Sequence, residues 1–256
     1  MSDRHLLLFD VGNTRVKWGY ARGTDLRRTG SITHARLAEA GFTALIAHLP
    51  SRVESVLVSN VAGASFASRL SGVIGMHYSL DVRFARSTAR ASGVTNSYPQ
   101  PRRLGVDRWV AMIGARSEFN GTLCVVDVGT AVTIDALDKS GQHLGGQILP
   151  GLGLMTKALN ADTSDLPVVK RAPRRSDKAL HAFASSTGSA IYNGAMAAVC
   201  GAIERALRVL RSTGYRPTLV LTGGDAARIL TELEGAAEHC PNLVLQGLAI
   251  MAQDIQ

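Results

Sequence analysis

The sequence predicts an α/β protein made of two similar lobes with a cleft between them. Its 256 residues are enough for one large core or two smaller ones. An apolar run enters a Gly-containing turn twice, at 10–14 (DVGNT) and at 127–130 (DVGT), and the two aspartates are 117 positions apart. Each run opens a meander of about three strand-like stretches, and alternating helix and strand patterns follow. This recurrence at almost half the chain length predicts an internal duplication, with lobes at 1–118 and 119–256.

The first predicted lobe opens with a β-hairpin, because two apolar stretches flank the tight turn at Gly12. The apolar stripe through Leu37, Ala44 and Leu45 predicts a helix that ends at Pro50. The elements predicted for this lobe are strands at 5–10, 15–21 and 26–33, a helix at 35–49, a strand at 55–59 and a helix at 104–119.

The second predicted lobe repeats this order, with a hairpin at the Gly129 turn. Apolar residues at steps of three and four, among them Ile191, Ala195 and Val199, predict a long helix. The elements predicted for this lobe are strands at 123–127, 131–137 and 143–149, a helix at 152–159, a loop at 163–177, a helix at 188–211, a strand at 218–221 and a helix at 225–233.

The chain carries 28 Lys and Arg against 20 Asp and Glu, and this net charge of +8 attracts anions of any kind. Seven arginines lie between Arg83 and Arg116, and Asp107 is the lone acid among them. A solvated basic face is the alternative interpretation of these arginines. Nucleic acid is not expected as a partner, because aromatic residues make up only 5% of the chain and no zinc-finger or RNA-recognition pattern occurs.

Targeting and metal patterns exclude several further classes of protein. No apolar run approaches the ~20 residues of a membrane span, and the N-terminus lacks a signal-peptide pattern, so we expect a cytoplasmic protein without a membrane partner. The three cysteines are widely spaced, which predicts neither a disulfide framework nor a zinc site. His5, His34 and His48 have no companion acid or cysteine at ligand spacing, and we interpret them as structural or surface residues.

The chain lacks a GxxxxGK[ST] P-loop and a GxGxxG dinucleotide fingerprint, so a phosphate site needs another device. Each Asp-Val-Gly turn joins a carboxylate that holds a cation, a glycine that lets the backbone approach phosphate oxygens, and Thr or Asn donors. Two such turns facing one another would grip a nucleoside triphosphate, although either turn alone is also typical of an ordinary hairpin. A third Gly turn, 222–226, lies between a strand and a helix, where a base or ribose can rest against backbone, although strand-to-helix turns also often carry Gly for steric reasons alone.

Taken together, these motifs resemble the acetate and sugar kinase, Hsp70 and actin superfamily and, within it, the type III pantothenate kinases. One departure is Val106, where the family usually has Ala. The resemblance covers nearly the whole chain and implies two actin-like (ribonuclease H-like) lobes with a central nucleotide cleft. The matching segments are, in order, DVGNT at 10–14, Tyr98 with GVDR at 105–108, DVGTAVT at 127–133, GGQILPG at 145–151, STGSAIYNG at 186–194 and TGGDA at 222–226.

The resemblance implies phosphoryl transfer from ATP, with Mg²⁺, to the terminal hydroxyl of pantothenate, the first step toward coenzyme A. Asp107 matches the family's general base, and the chemistry agrees, because an alcohol is a weak nucleophile that needs a positioned base. Arg108 matches the residue that binds the substrate carboxylate, for which a planar arginine fork is suited. The alternative for Asp107 is an acid that complements the dipole at a helix N-terminus.

The remaining site residues follow from the resemblance alone. Lys17 is alternatively a lysine that projects into solvent, and Thr187 is alternatively a helix cap. The family also needs a monovalent cation, K⁺ or NH₄⁺, and forms homodimers with the pantothenate pocket at a subunit boundary. The matched residues are Asp10, Val11, Gly12, Asn13, Thr14, Arg15, Val16, Lys17 and Thr130 for ATP, Tyr98, Gly105, Val106, Asp107, Arg108 and Thr187 for pantothenate, and Asp127 for the monovalent cation.

Two rival functions fit parts of this pattern. The first is a different kinase or phosphatase of the same superfamily, and the GVDR segment argues against it, because sugar and acetate kinases lack that segment in this context. The second is a non-enzymatic, anion- or DNA-associated regulatory accessory protein on the same fold. Asp10, Asp107 and Asp127 argue against the second rival, since a binding module has no need for three carboxylates around a phosphate site.

Overall fold

The computed structural model describes residues 4–161 and 183–254. The predicted loop at 163–177 lies outside these residues. The chain folds into two compact α/β units. Unit 1 comprises Met1–Asn120, Leu137–Gly145 and Asn242–Gln256, and unit 2 comprises Gly121–Ala136 and Gly146–Pro241. No helix within the described ranges combines the length and apolarity that crossing a membrane requires.

Two five-stranded sheets have the same strand order, β3-β2-β1-β4-β5 and β10-β9-β8-β11-β12. In the first sheet β1 is antiparallel to β2 and parallel to β4, and in the second β8 is parallel to β11. The strands are β1 His5–Val11, β2 Arg15–Arg22, β3 Asp25–Thr33, β4 Ser55–Asn60, β5 Val82–Phe84, β6 Arg90–Ala91, β7 Val94–Thr95, β8 Leu123–Val128, β9 Ala131–Leu137, β10 His143–Pro150, β11 Thr218–Thr222 and β12 Glu238–His239.

Eight α-helices accompany these strands in the described part of the chain, and a 3₁₀ turn at Pro101–Arg103 precedes the fourth. The helices are α1 His34–Ala40, α2 Thr43–Ile46, α3 Ala64–Tyr78, α4 Val106–Glu118, α5 Leu152–Ala161, α6 Thr187–Ser212, α7 Ala226–Leu230 and α8 Leu243–Asp254.

The predicted helix at 35–49 is wrong as a single element, because the chain forms α1 and α2 instead. Gly41 separates them with a φ of 68°, in the left-handed region that favours glycine, and its N–H donates to the Leu37 carbonyl. The apolar stripe is nevertheless on the buried side, since Leu37 and Leu45 both belong to the core.

Alternation along β1 and β8 decides on which face of its sheet each of Asp10 and Asp127 lies. In unit 1, Phe9 and Val11 pack into a hydrophobic cluster with residues of α1, α2 and α3, so Asp10 between them projects from the opposite face of the sheet. In unit 2, Val126 and Val128 pack into a cluster with α6, so Asp127 likewise projects from the opposite face. The two acids therefore occupy equivalent positions in two equivalent sheets.

The two halves also share backbone hydrogen bonds next to these acids. The N–H of Val61, just after β4, donates to the Val11 carbonyl at 3.0 Å, and the N–H of Asp225, just after β11, donates to the Val128 carbonyl at 3.0 Å. This repetition in detail supports the duplication that the repeated turn predicted.

The last helix, α8, was not predicted, and it packs against α4 within unit 1. Glycines make this packing close, because a Cβ on Gly114 would overlap the Leu243 carbonyl oxygen and a Cβ on Gly247 would overlap the Val110 carbonyl oxygen. The prediction assigned 119–256 to the second lobe, whereas residues 242–256 and 137–145 belong to unit 1.

Candidate active site

The first Asp-Val-Gly turn joins β1 to β2. Its base is anchored by the buried side chains of Val11 and Val16, and the N–H of Gly12 donates to the Arg15 carbonyl at 3.1 Å. Asn13 and Thr14 at its tip are exposed, as is the side chain of Arg15. The turn therefore presents backbone and small polar side chains to solvent, which is the arrangement that a phosphate site requires.

Lys17 lies directly opposite Asp10 in the antiparallel ladder of β1 and β2. Side chains at opposed positions share one face of the sheet, so the ammonium and the carboxylate lie on the same side. Lys17 is partly buried, and it is therefore not the freely solvated lysine of the alternative interpretation.

His34 contacts the first turn, a role that the sequence did not reveal. Its Nε2 donates to the Gly12 carbonyl at 2.7 Å, which requires the proton to lie on Nε2, and its backbone N–H donates to the Thr14 carbonyl at 3.0 Å. The ring packs edge-on against Phe66 with centroids 4.9 Å apart. His34 is thus structural, as expected, and the structure that it supports is the first Asp-Val-Gly turn. The sequence carries no spacing that links residue 34 to residue 12.

The second Asp-Val-Gly turn joins β8 to β9. The N–H of Gly129 donates to the Ala131 carbonyl at 3.0 Å, and Thr130 is exposed at the tip. Gly151, which follows β10, donates its N–H to the Thr130 carbonyl at 2.9 Å, as His34 does to Thr14 in the first half. A Cβ on Gly151 would overlap the Gly129 carbonyl oxygen, so this position needs glycine.

The third Gly turn packs against the second one. Gly223 has a φ of 100°, and a Cβ there would overlap Oδ1 of Asp127 and the backbone of Val128. Close approach at Gly223 thus sets the surroundings of the Asp127 carboxylate. Gly224, its neighbour, has no atom within 4 Å of an added Cβ.

Asp107 lies in the first turn of α4, which begins after Gly105. Its Oδ1 accepts the backbone N–H of Arg108 at 2.8 Å, so the carboxylate complements the positive end of the helix. The helix-terminal role that the sequence left open is therefore present in the geometry. The side chain is only partly buried, and this partial exposure leaves the carboxylate accessible to a substrate.

Arg108 and Tyr98, both predicted to contact pantothenate, lie side by side. Arg108 is buried, its Nη1 donates to the Tyr98 hydroxyl at 3.1 Å, and its Cζ lies 5.9 Å from the centre of the Tyr98 ring. Tyr98 in turn stacks on the buried His143, with centroids 6.0 Å apart and an interplanar angle of 16°. Ser97 Oγ and His143 Nδ1 lie 3.0 Å apart in a hydrogen bond. His143 was not predicted, because its contact with Tyr98 arises only in the fold.

Asn96 is a second unpredicted residue that organises this segment. Its Oδ1 accepts the N–H of Tyr98 at 2.9 Å, and its Nδ2 donates to the carbonyls of Thr88 and Pro101 at 3.2 Å each. One amide side chain thereby joins three points of the loop that leads into α4. The position of Tyr98 beside Arg108 depends on this side chain.

Thr187 is the first residue of α6 and is exposed. The alternative that Thr187 caps this helix is wrong, because the cap is Ser186, whose Oγ accepts the N–H of Ser189 at 3.4 Å. Thr187 therefore has an accessible hydroxyl at the start of the longest helix among the described residues.

Two of the three cysteines lie in the hydrophobic core of unit 2. Cys124 and Cys200 are buried and free, and burial raises the pKa of the Cys124 thiol to about 12 and that of Cys200 to about 11. Both thiols stay protonated at neutral pH and are poor nucleophiles. Within 4–161 and 183–254, no three His, Cys, Asp or Glu side chains are grouped as metal ligands.

Comparison with known proteins identifies the family. The family model of the type III pantothenate kinases matches residues 6–209. A type III pantothenate kinase from Azoarcus sp. (strain BH72) is 39% identical over 249 residues, which cover 96% of this chain and 90% of that protein.

Two solved structures resemble the fold. One, from Campylobacter jejuni, is described as a Baf family transcriptional activator and has a TM-score of 0.58 at 20% identity over 97% of this chain and 98% of its own. The other, from Listeria monocytogenes, is described as an N-acetylmannosamine kinase and has a TM-score of 0.53 at 12% identity over 98% of this chain and 100% of its own. These two likenesses concern the fold alone. The family match over 6–209 and the identity to the relative from Azoarcus show that the chain belongs to the type III pantothenate kinase family.

Proposed function

We propose that this protein transfers the γ-phosphoryl group of ATP to pantothenate and so forms phosphopantothenate in the cytoplasm. The observation that supports this most directly is the arrangement at the start of α4, where a buried arginine and an accessible carboxylate are adjacent. Pantothenate has a carboxylate at one end, which suits the arginine, and a hydroxyl at the other, which suits the carboxylate of the protein.

Arg108 is proposed to hold the pantothenate carboxylate. A guanidinium presents its donors in one plane, which matches the two oxygens of a carboxylate. Tyr98 and the buried His143 behind it fix the position of the guanidinium, so the arginine loses little side-chain entropy when substrate binds. Gly105, Val106 and Thr187 are proposed to complete the substrate contacts.

Asp107 is proposed to be the general base. The carboxylate accepts the proton of the pantothenate hydroxyl as the oxygen attacks the γ-phosphorus, and the ADP oxygen leaves on the opposite side. The bond from the Arg108 N–H fixes Oδ1, so the orientation of this base is set by the helix itself.

Residues 10–17, which form the first Asp-Val-Gly turn and the start of β2, are proposed to bind the ATP phosphates together with Thr130 of the second turn. The donor chemistry suits ATP carried with Mg²⁺, because Asp10 and Asp127 supply hard carboxylate oxygens, and Mg²⁺ is commonly held by one or two carboxylates together with substrate phosphates. Asp127 is also proposed to hold K⁺ or NH₄⁺. When bound, these cations offset the charge that develops on the transferred phosphoryl group.

A homodimer is proposed as the active form, with α6 or its neighbourhood at the interface. The support is that both helices expose large apolar side chains, Leu154 and Leu159 on α5 and Val209 on α6, each 45–49% exposed. Analytical ultracentrifugation at micromolar concentration is expected to give twice the chain mass of 27.1 kDa, and a monomer would contradict the proposal.

An ATP-consumption assay with and without pantothenate tests the proposed activity against both rivals. We expect ADP to form only when pantothenate is present. ADP formation with a sugar or acetate but not with pantothenate would favour another kinase of the superfamily. Absence of turnover with every acceptor, in buffer containing Mg²⁺ and K⁺, would favour the accessory-protein rival.

A further inference from the structure

Two buried hydroxyl groups are without a hydrogen-bond partner among the described residues. They are Ser59 Oγ on β4 and Thr222 Oγ1 on β11, and each residue is 1% exposed. The indole N–H of Trp109 is the third such group in the described ranges. Buried polar groups are normally paired, because leaving one unpaired lowers the free energy of unfolding. Each exception therefore calls for an explanation.

Both hydroxyls lie beside a site aspartate. Ser59 is paired in register with Asp10 in the parallel ladder of β4 and β1, and Thr222 is paired with Asp127 in the ladder of β11 and β8. Paired residues of neighbouring strands project to the same face, with the strands about 4.8 Å apart. Each hydroxyl thus lies on the face of its aspartate, opposite the face packed into the hydrophobic clusters.

The two positions are equivalent under the duplication of the fold, because β4 and β11 occupy the same place in the two sheets. An unpaired hydroxyl at only one of the two positions would need no functional explanation. Because an unpaired hydroxyl lies beside both acids, we expect these hydroxyls to bond to the aspartates in another state of the molecule.

A carboxylate that binds a cation through one oxygen needs a donor on the other oxygen to keep its orientation. Ser and Thr hydroxyls rotate and supply one donor each. We propose that Ser59 and Thr222 are positioning residues: when ATP and its cations bind, Ser59 donates to Asp10 and Thr222 donates to Asp127. This inference rests on the proposed role of the two aspartates in the ATP site.

The test uses Ser59→Ala and Thr222→Val, each of which removes a hydroxyl with little change in shape. Because the hydroxyls are unpaired without ligand, the Tm of each ligand-free variant is expected to equal or exceed that of the parent. The rise in Tm produced by Mg²⁺ and a non-hydrolysable ATP analogue is expected to shrink, and KM for ATP to rise by about 10-fold, as for other supporting residues of metal ligands. KM for pantothenate is expected to stay unchanged, and Thr222→Ser is expected to restore the parent values.

Thr156→Val is the matched control. Thr156 is also buried, but its Oγ1 donates to the Gly153 carbonyl at 3.1 Å, so its removal is expected to lower Tm and leave KM for ATP unchanged. Two outcomes would overturn the inference: a fall in the ligand-free Tm of Thr222→Val like that of Thr156→Val, or an unchanged response to the ATP analogue.

Asp10→Asn and Asp127→Asn separate this inference from the function on which it rests. If Mg²⁺ and the ATP analogue raise the Tm of these variants as much as that of the parent, the assignment of the ATP site is wrong. If they lose that response while Ser59→Ala and Thr222→Val keep it, only the role of the hydroxyls is wrong.

Discussion

Asp107 and Arg108 are neighbours in the chain, but their surroundings differ. The arginine is buried against Tyr98, whereas the carboxylate is partly exposed at the start of α4. This difference suits their proposed roles, because an anchor benefits from rigidity and a base must reach a substrate hydroxyl. Kinetics of single substitutions can therefore distinguish them.

Replacing Asp107 with Asn keeps the size of the side chain and its hydrogen bond to the Arg108 N–H, but it removes the basicity. We expect kcat to fall by roughly 10²- to 10⁴-fold while the Kd for pantothenate, measured by calorimetry, changes little. Turnover near that of the parent would leave Asp107 with only its helix-terminal role.

Replacing Arg108 with Gln removes the planar charge that is proposed to hold the carboxylate. KM for pantothenate is expected to rise by about 10- to 100-fold, which corresponds to the roughly 1.5 to 3 kcal/mol of a charge-assisted pair. Pantetheine, which has an amide in place of the carboxylate, serves as the control acceptor and is expected to show a smaller change. An unchanged KM for pantothenate would show that the anchor lies elsewhere.

At the scale of elements, local patterns predicted the hairpins well and the helices unevenly. The turns at Gly12 and Gly129 lie between strands whose alternation is visible in the sequence. By contrast, α8 was missed because seven of its twelve residues are buried, and its first three, Leu243, Val244 and Leu245, form a continuous apolar run that hides the helical period. The helix α3 was not predicted either, because its glycines and serines weaken the helical signal.

The residues of the candidate site were likewise predicted only in part. Residues within contiguous motifs, such as 10–14 and 105–108, were predicted from the sequence and the family resemblance. His34, His143 and the hydroxyls of Ser59 and Thr222 act across gaps in the sequence that only the fold closes, whereas Asn96 acts within its own loop. Thr222 lies within the TGGDA segment, but nothing in the sequence pairs it with Asp127, and no pattern marks the other four residues.

The contact between the third Gly turn and the second Asp-Val-Gly turn gives a prediction about elements. Gly223→Ala is expected to push against Asp127 and to strain a backbone with φ of 100°, at a cost of about 1 to 3 kcal/mol in the free energy of unfolding. KM for ATP is expected to rise as well. Gly224→Ala is the matched control, because nothing lies within 4 Å of its added Cβ, and a Gly223→Ala enzyme as stable and active as this control would contradict the account.

At the scale of the whole molecule, the predicted fold class and family are confirmed. The division of the chain into lobes was not predicted in full, since residues 242–256 return to unit 1 and carry no turn or charge signal of that return. The facing of Asp10 and Asp127 across one nucleotide cleft stays a prediction. A crystal structure with a bound ATP analogue tests it, and two carboxylates on opposite sides of the molecule would contradict it.

The proposed cation at Asp127 predicts the behaviour of the complete enzyme in different salts. Activity in K⁺ or NH₄⁺ is expected to exceed that in Na⁺ by about 10-fold or more, because a weakly hydrated cation offsets repulsion between the carboxylate and phosphates. Ionic strength is held constant with a bulky organic cation as the control. Equal rates in all three salts would show that Asp127 has another role.

The central claim is that one phosphoryl group passes from ATP to pantothenate for each ADP formed. Mass spectrometry of the reaction mixture measures it directly, through the amount of pantothenate that gains one phosphoryl group and the amount of ADP. The account predicts equal amounts of the two products with the parent protein. ADP without phosphorylated pantothenate, or neither product, would contradict it.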